Sequence, residues 1–223
     1  TELYGSFKPV EQDLGPPGFK NVFASVIGDH PELFWLDTSY ECLYDPFGKC
    51  VEVNLNFNRT AEDLDTAKAE FDAAAGEILS AAGELGSNYE KERYVHDALA
   101  ENTEYDSNAE MDQSAYSALV NGRTVCAGYS RAMQYLMQQL NIPCYYCTGY
   151  AGEDHAWNIV RLDDDFYNVD VTWDDPLTDC LGRAKHLYFL KSSIAYSLDQ
   201  FLNSSELASI VSRNWGGFSF VNS

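Results

Sequence analysis

Basic residues are scarce in this chain. It carries 14 Lys and Arg against 35 Asp and Glu, a formal charge of −21. A nucleic-acid backbone would meet repulsion here in place of the counterion release that drives such binding, so no nucleic acid is expected as a partner. The acidic surplus reads as a solubility feature and says nothing about fold. Long apolar runs are missing too: no stretch approaches the roughly 20 residues of a membrane-spanning helix. The chain opens at Thr1 without the basic and apolar regions of a signal peptide, as a processed exported fragment or a trimmed chain would. Cysteine is sparse. Six of them, Cys42, Cys50, Cys126, Cys144, Cys147 and Cys180, are too few in 223 residues for a disulfide scaffold. There is no internal repeat and no low-complexity tract.

Apolar residues, by contrast, make up 45% of the chain, with 15 Tyr, 12 Phe and 4 Trp. That is enough apolar surface to offset the ordering entropy of folding. At this length a single domain over 1–223 is expected, with an N-terminal part (1–86), a core (87–192) and a C-terminal extension (193–223). Residues up to about 30, with Gly15-Pro16-Pro17-Gly18, read as an extended, turn-rich lead-in. Leu33 to Leu43 is β-leaning, and Val51, Val53, Leu55 and Phe57 alternate with polar neighbours, which predicts a pair of half-buried strands. Symmetric pairing about Pro46 sets Cys42 opposite Cys50, as a cross-strand disulfide or as two free thiols.

Thr60 with Asp63 starts a capping-box pattern before a long helix with Leu64, Phe71, Ile78 and Leu79 on one face, ending near Gly83 to Gly86. Ser87 with Glu90 repeats the pattern before a second helix running to Asn102, with Tyr94, Val95, Ala98 and Leu99 as its apolar face. His96 on this helix reads as a packed or surface histidine, because nothing near it in sequence resembles a metal or nucleophile partner. A short helix is predicted over Ser114 to Val120, broken at Asn121-Gly122. A longer one follows from Cys126 to Leu140, and then strands over Cys144 to Tyr150, His155 to Leu162 and Phe166 to Thr172.

Cys126 falls in the first helical turn, where unpaired backbone N–H groups and the positive end of the helix dipole favour an anion. Ala127 and Gly128 leave room for a substrate carbonyl to reach its thiol and its backbone N–H. The turn at Asp163-Asp164 pairs Leu162 with Asp165, and continuing that register sets Trp157 opposite Asp170. His155 and Asp170 then share a face of neighbouring strands. The aspartate can hold one imidazole nitrogen while the other faces the thiol, which is the logic of a nucleophile, base and orienting acid.

Three stretches, Val125-Cys126-Ala127-Gly128-Tyr129-Ser130, His155-Ala156-Trp157-Asn158 and Tyr167 through Asp175, closely resemble the bacterial transglutaminase-like superfamily. Tyr188-Phe189-Leu190 looks like the strand that commonly follows. The likeness runs from about Tyr89 to Leu190, and Pro31-Glu32-Leu33-Phe34-Trp35 is similar to the flank of some Gram-positive surface members. The resemblance implies an α+β, papain-related fold, with the nucleophile's helix packed on an antiparallel sheet that bears the histidine and acid. It also implies an extracellular or cell-surface setting and a peptide or protein substrate, such as cell-wall peptide. One departure is Asp164, where many relatives have Gly in the turn.

The chemistry expected is acyl transfer from an amide through a thioester, with hydrolysis ahead of transfer to an amine. A protein-crosslinking enzyme or a non-catalytic cell-surface module binding peptide or glycan are the alternatives. Tyr116 and Gln113 are candidates for a second oxyanion donor, and Trp157 and Trp173 for the walls of the site. Cys144 and Cys147 point to opposite faces of a strand and read as structural, and Asp163-Asp164-Asp165 reads as a solvated turn. No cofactor and no metal are expected.

Overall fold

The computed structural model describes residues 3–10, 15–60, 62–175 and 186–191; Cys180 and the extension at 193–223 lie outside them. Strand β1 (Ser6–Phe7) precedes helix α1 (Pro16–Asp29), so the Gly-Pro-Pro-Gly run opens a helix, contrary to the expected lead-in. Gly15 is the N-cap and the prolines occupy the first helical positions, where their missing N–H groups would be unpaired anyway and their φ is preset. The helical signal was Phe19, Phe23 and Ile27, spaced four apart and buried together against Cys50 and Val53.

The hairpin forms as β2 (Leu36–Tyr44) and β3 (Cys50–Phe57), with β1 on the outer edge of β3. Its register differs from symmetry about Pro46. Asp45 accepts the N–H groups of Phe47 and Lys49 at 2.9 Å each, and Gly48 takes φ 82°, a backbone state that suits glycine. A register shift at the loop end then sets Tyr44 opposite Cys50 and Cys42 opposite Val53, and both cysteines are free thiols.

Helix α2 spans Leu64–Gly83, but the Thr60 hydroxyl binds the Asp63 carboxylate at 3.1 Å, and no side chain caps the helix. Helix α3 (Asn88–Asn102) does have the full capping box: Glu90 N–H donates to Ser87 Oγ at 3.2 Å and Ser87 N–H to Glu90 Oε2 at 3.0 Å. Its buried face is rotated from the expected one. Val95, Leu99 and Ala100 are joined there by Glu92 and His96, while Tyr94 is exposed.

Short parallel strands β4 (Glu104–Tyr105) and β5 (Arg123–Thr124) bracket a loop that ends in a π-turn at Ser117–Asn121, closed by Gly122 at φ 64°. Helix α4 (Cys126–Gln139) buries Tyr129, Ala132, Met133, Leu136 and Met137 at the centre of the main core. The strands β6 (Cys144–Tyr150), β7 (Asp154–Leu162) and β8 (Asp165–Val169) form an antiparallel sheet in that order. The third ends at Val169 instead of Thr172 because Asp170 leaves the strand to cap the short helix α5 (Val171–Asp174), accepting Trp173 N–H at 3.2 Å. The mixed fold, with a cysteine-bearing helix against an antiparallel sheet, is the expected one.

Glu92 is fully buried, and neither of its carboxyl oxygens meets a donor among the described residues. Burial pushes its carboxyl up to about 8, against the opposing pull of His96. The folded chain therefore holds a proton that the unfolded chain releases above about 4.5, and stability falls as pH rises from there through about 8. Unmade bonds of this kind cost about 1–3 kcal/mol. Glu92→Met should stabilise the protein by about that amount in urea denaturation, with a gain that grows between pH 5 and pH 8. A variant less stable throughout that range would refute this account.

Candidate active site

The first residue of α4 is Cys126, and Val125 precedes it as an extended N-cap with no side-chain cap bond. Cys126 thus sits at the positive end of the helix dipole, which favours an anion there. The preceding chain is clamped: Val125 N–H donates to the Asp112 carbonyl at 3.1 Å, and the Thr124 hydroxyl bonds the same oxygen. Gly128 is what permits this approach. A Cβ there would collide with Thr124 Oγ1 and lie 2.8 and 2.9 Å from the carbonyls of Asp112 and Ser114. The space at Gly128 therefore serves the chain's own backbone and not a substrate carbonyl as expected.

The two-residue turn after β7 holds, with Leu162 opposite Asp165, and the positive φ of 53° falls on Asp163, not Asp164. That register carries β8 past β7 so that Asp170 meets His155, whose Nε2 lies 2.6 Å from Asp170 Oδ2. Both side chains are almost wholly buried. Burial alone would lower the imidazole's proton affinity, but hydrogen bonds to Asp170 and Cys126, with their negative charge, outweigh it and lift the ring to about 9. Since Nε2 faces Asp170, Nδ1 is the atom left for the sulfur. The remaining Asp170 oxygen takes Trp173 N–H, so both carboxylate oxygens are engaged and the aspartate is held from two directions.

Trp173 stacks on the His155 ring at 4.9 Å between centroids and 17° between planes, and Trp157 lies parallel at 6.3 Å. Trp157 is fixed by its Nε1–H bond to Asn168 Oδ1 at 3.0 Å. Both predicted walls therefore border the histidine. The oxyanion candidates fare differently. Tyr116 is buried in the core beside Phe34, and its hydroxyl donates to Glu70 Oε2 at 2.6 Å, on α2. Gln113 binds Arg131 through its backbone carbonyl at 3.0 Å.

Among the described residues, the charge of Cys126 helps raise the hydroxyls of Tyr105 and Tyr146. Burial, then Cys126, Glu153 and Asp112, raise the Tyr105 hydroxyl above its usual range and keep it protonated. Tyr146 is raised mainly by burial, against the Arg131 guanidinium 5.1 Å from its ring centroid. Neither carried a sequence signal: Tyr105 lies in a polar stretch and Tyr146 in a strand whose aromatic residues all looked alike.

With this geometry in place, residues 78–171 match the family model of the Transglutaminase-like superfamily, a span that contains all three polar residues of the site. Kyphoscoliosis peptidase of Homo sapiens is 27% identical over 159 residues, covering 61% of this chain and 24% of that protein. The chain thus spans about a quarter of the length of the curated relatives it matches. Among solved structures, it is similar to one described as the crystal structure of a TGase, with a TM-score of 0.45, 15% identity, and coverage of 82% of this chain and 55% of that one. A candidate cysteine protease from Cytophaga hutchinsonii gives a TM-score of 0.42 at 17% identity, covering 62% of this chain and 63% of that one.

Two outcomes follow from the geometry alone. Because the folded value of His155 lies above its ordinary 6.5, the stabilisation it brings is complete below about 6.5 and lost as pH rises through about 9. NMR titration of its C2–H, assigned with His155→Gln, should give a midpoint near 9 that falls toward or below the ordinary value in Asp170→Asn. An unchanged midpoint would disprove the coupling. Gly128→Ala should cost at least the roughly 1–3 kcal/mol typical of overpacking, read in chemical denaturation; a wild-type midpoint would show that the 112–114 segment yields freely.

Proposed function

We propose that this chain, whose residues 78–171 match the model of the Transglutaminase-like superfamily, cleaves amide bonds of peptides or proteins through a thioester on Cys126. The observation that carries the reading is His155, buried against two aromatic rings, hydrogen-bonded to Asp170 at 2.6 Å and near enough to Cys126 for the thiol to help raise its proton affinity.

His155 Nδ1 takes the Cys126 proton, and Asp170 stabilises the imidazolium and sets the plane of the ring. The thiolate, at the positive end of α4, attacks the amide carbonyl. The resulting oxyanion is met by Cys126 N–H, and Tyr105, which strand pairing sets beside Thr124 two residues before the nucleophile, is the proposed side-chain donor. The imidazolium then gives its proton to the departing amine as the tetrahedral intermediate collapses to a thioester. Water enters where the amine left, His155 takes its proton, and the acid is released with the thiol restored. Transfer to a lysine-type amine would follow the same second half-reaction with the amine in the place of water, so acceptor access decides between the outcomes. Hydrolysis is preferred here because water is always present.

Cys126→Ala should reduce release of new N-termini from a peptide library by about 10³-fold or more and abolish labelling of residue 126 by a chloroacetamide probe. Tyr105→Phe should lower kcat by about 10²-fold, the usual loss for one oxyanion donor. Product release undiminished in Cys126→Ala would overturn the reading. Exclusive incorporation of a supplied primary amine, with no hydrolysis, would replace the hydrolase by a transferase.

A further inference from the structure

One helical turn beyond Asp170, a second set of histidines and carboxylates takes no part in this chemistry. His96 is wholly buried on α3, with Nε2 3.2 Å from Asp174 Oδ2 and Nδ1 3.0 Å from Asp97 Oδ1. The same Asp97 oxygen lies 2.6 Å from His186 Nε2, a residue 89 positions away in the chain. We propose that His96, Asp97 and His186 form a site for a first-row divalent cation, zinc above all, that fastens the 186–191 segment to α3.

The donor set is the first argument. Two imidazoles and one carboxylate each offer a ligand atom, all within 4.8 Å of one another. Bonds of about 2.0–2.1 Å to a tetrahedral zinc place ligand atoms roughly 3.3 Å apart, a spacing reached by a small swing of the partly exposed His186 ring. Imidazole with carboxylate suits zinc and its first-row neighbours, whereas calcium and magnesium prefer oxygen alone.

The second argument is the support behind the ligands. Both ring nitrogens of His96 face carboxylates, Nε2 toward Asp174 and Nδ1 toward Asp97 at 3.0 Å, so the metal-free ring is protonated and a cation would take the place of its Nδ1 proton. A carboxylate behind a ligating histidine is also the arrangement that fixes tautomer and ring plane at metal centres. Phe189 packs edge-on to both imidazoles, 5.0 Å from His96 and 5.5 Å from His186 between centroids, and walls the site. Asp97 and His186 remain partly exposed and leave a way in from solvent.

Occupancy would reach the active site through the backbone. Asp174 accepts Leu187 and Tyr188 N–H at 2.8 and 3.0 Å, and the Tyr188 carbonyl accepts Asp170 N–H at 3.2 Å. An ion tying His186 to α3 therefore steadies the segment against which the orienting carboxylate rests. Metal binding itself does not depend on the proposed reaction, so the two fail separately.

The test is a Co²⁺ titration of the full chain carrying Cys126→Ala, which removes the catalytic thiol as a competing ligand, followed by Zn²⁺ competition. One Co²⁺ per chain is expected, with visible d–d bands and no sulfur-to-cobalt charge transfer. Adding His186→Ala or Asp97→Asn, both at partly exposed positions that spare the core, should weaken binding at least tenfold, and Zn²⁺ should raise Tm only in the chain that retains all three ligands. Sulfur charge transfer, equal affinity in the His186→Ala chain, or no saturable binding at micromolar metal would each overturn the site.

Discussion

Asn158 donates from β7 to the Ser130 carbonyl on α4 at 2.9 Å and, more weakly, to the Tyr145 carbonyl on β6 at 3.4 Å. This buried amide joins the helix that carries Cys126 to the strand that carries His155. Asn158 lies three positions after His155, and Ser130 four positions after Cys126. Sliding α4 along the sheet would break a bond in an interior where an unpaired amide is costly. Around that anchor pack Met133, Leu136 and Met137 on the helix, with Val160 and Val169 on the sheet. The thiol and imidazole meet because apolar packing sets the distance between layers and one polar contact sets the slide.

Placing His155 in this dry setting has an electrostatic consequence. Desolvation pushes the ring toward its neutral form, and Asp170 and Cys126 push it toward the charged form by a larger margin. Trp173 takes part twice, through its ring on the imidazole face and through its N–H on the Asp170 carboxylate. Its position depends on β8 ending at Val169, since a strand continuing to Thr172 would send the Trp173 N–H elsewhere. The early end of that strand therefore serves the site: Asp170 is at once the acid behind the histidine and the cap of α5.

Most of this was legible wherever one period or one local motif dominated. The Ser87 and Glu90 box, the bounds of β6 and the turn between β7 and β8 are local, and sequence reasoning reached them. The first helix was missed because two prolines and two glycines were weighed as breakers, although prolines at helical positions one and two are starters and Phe19, Phe23 and Ile27 already marked a face. The hairpin register failed by the width of a bulge, which rests on the Asp45 side chain and the conformation of Gly48 and leaves no trace in hydrophobic alternation. Tyr116 looked suitable from its place upstream of the nucleophile, but its side chain is directed by the core, toward Glu70. Tyr105 and Tyr146 approach Cys126 only through tertiary folding.

His96 shows the same limit in sharper form. Its neighbours on α3 explain its burial only in part, because the groups that define its environment, Asp174 and His186, lie 78 and 90 positions further along the chain. Helical periodicity places Val95 and Leu99 inward and brings His96 with them, and a buried imidazole must then find partners from elsewhere. It finds them in the turn that begins at Asp170 and in the segment that returns beside it. Lys191 bridges Asn168 through paired backbone bonds of 2.8 and 2.9 Å, in place of the strand expected at Tyr188-Phe189-Leu190. Asn168 in turn holds the Trp157 indole. The returning segment thus touches the layer around His155 at three points: Asp170, its partner; Asp174, at the end of the helix that Asp170 caps; and Asn168, which holds Trp157. Order in 186–191 and order around Asp170 are therefore coupled by hydrogen bonds.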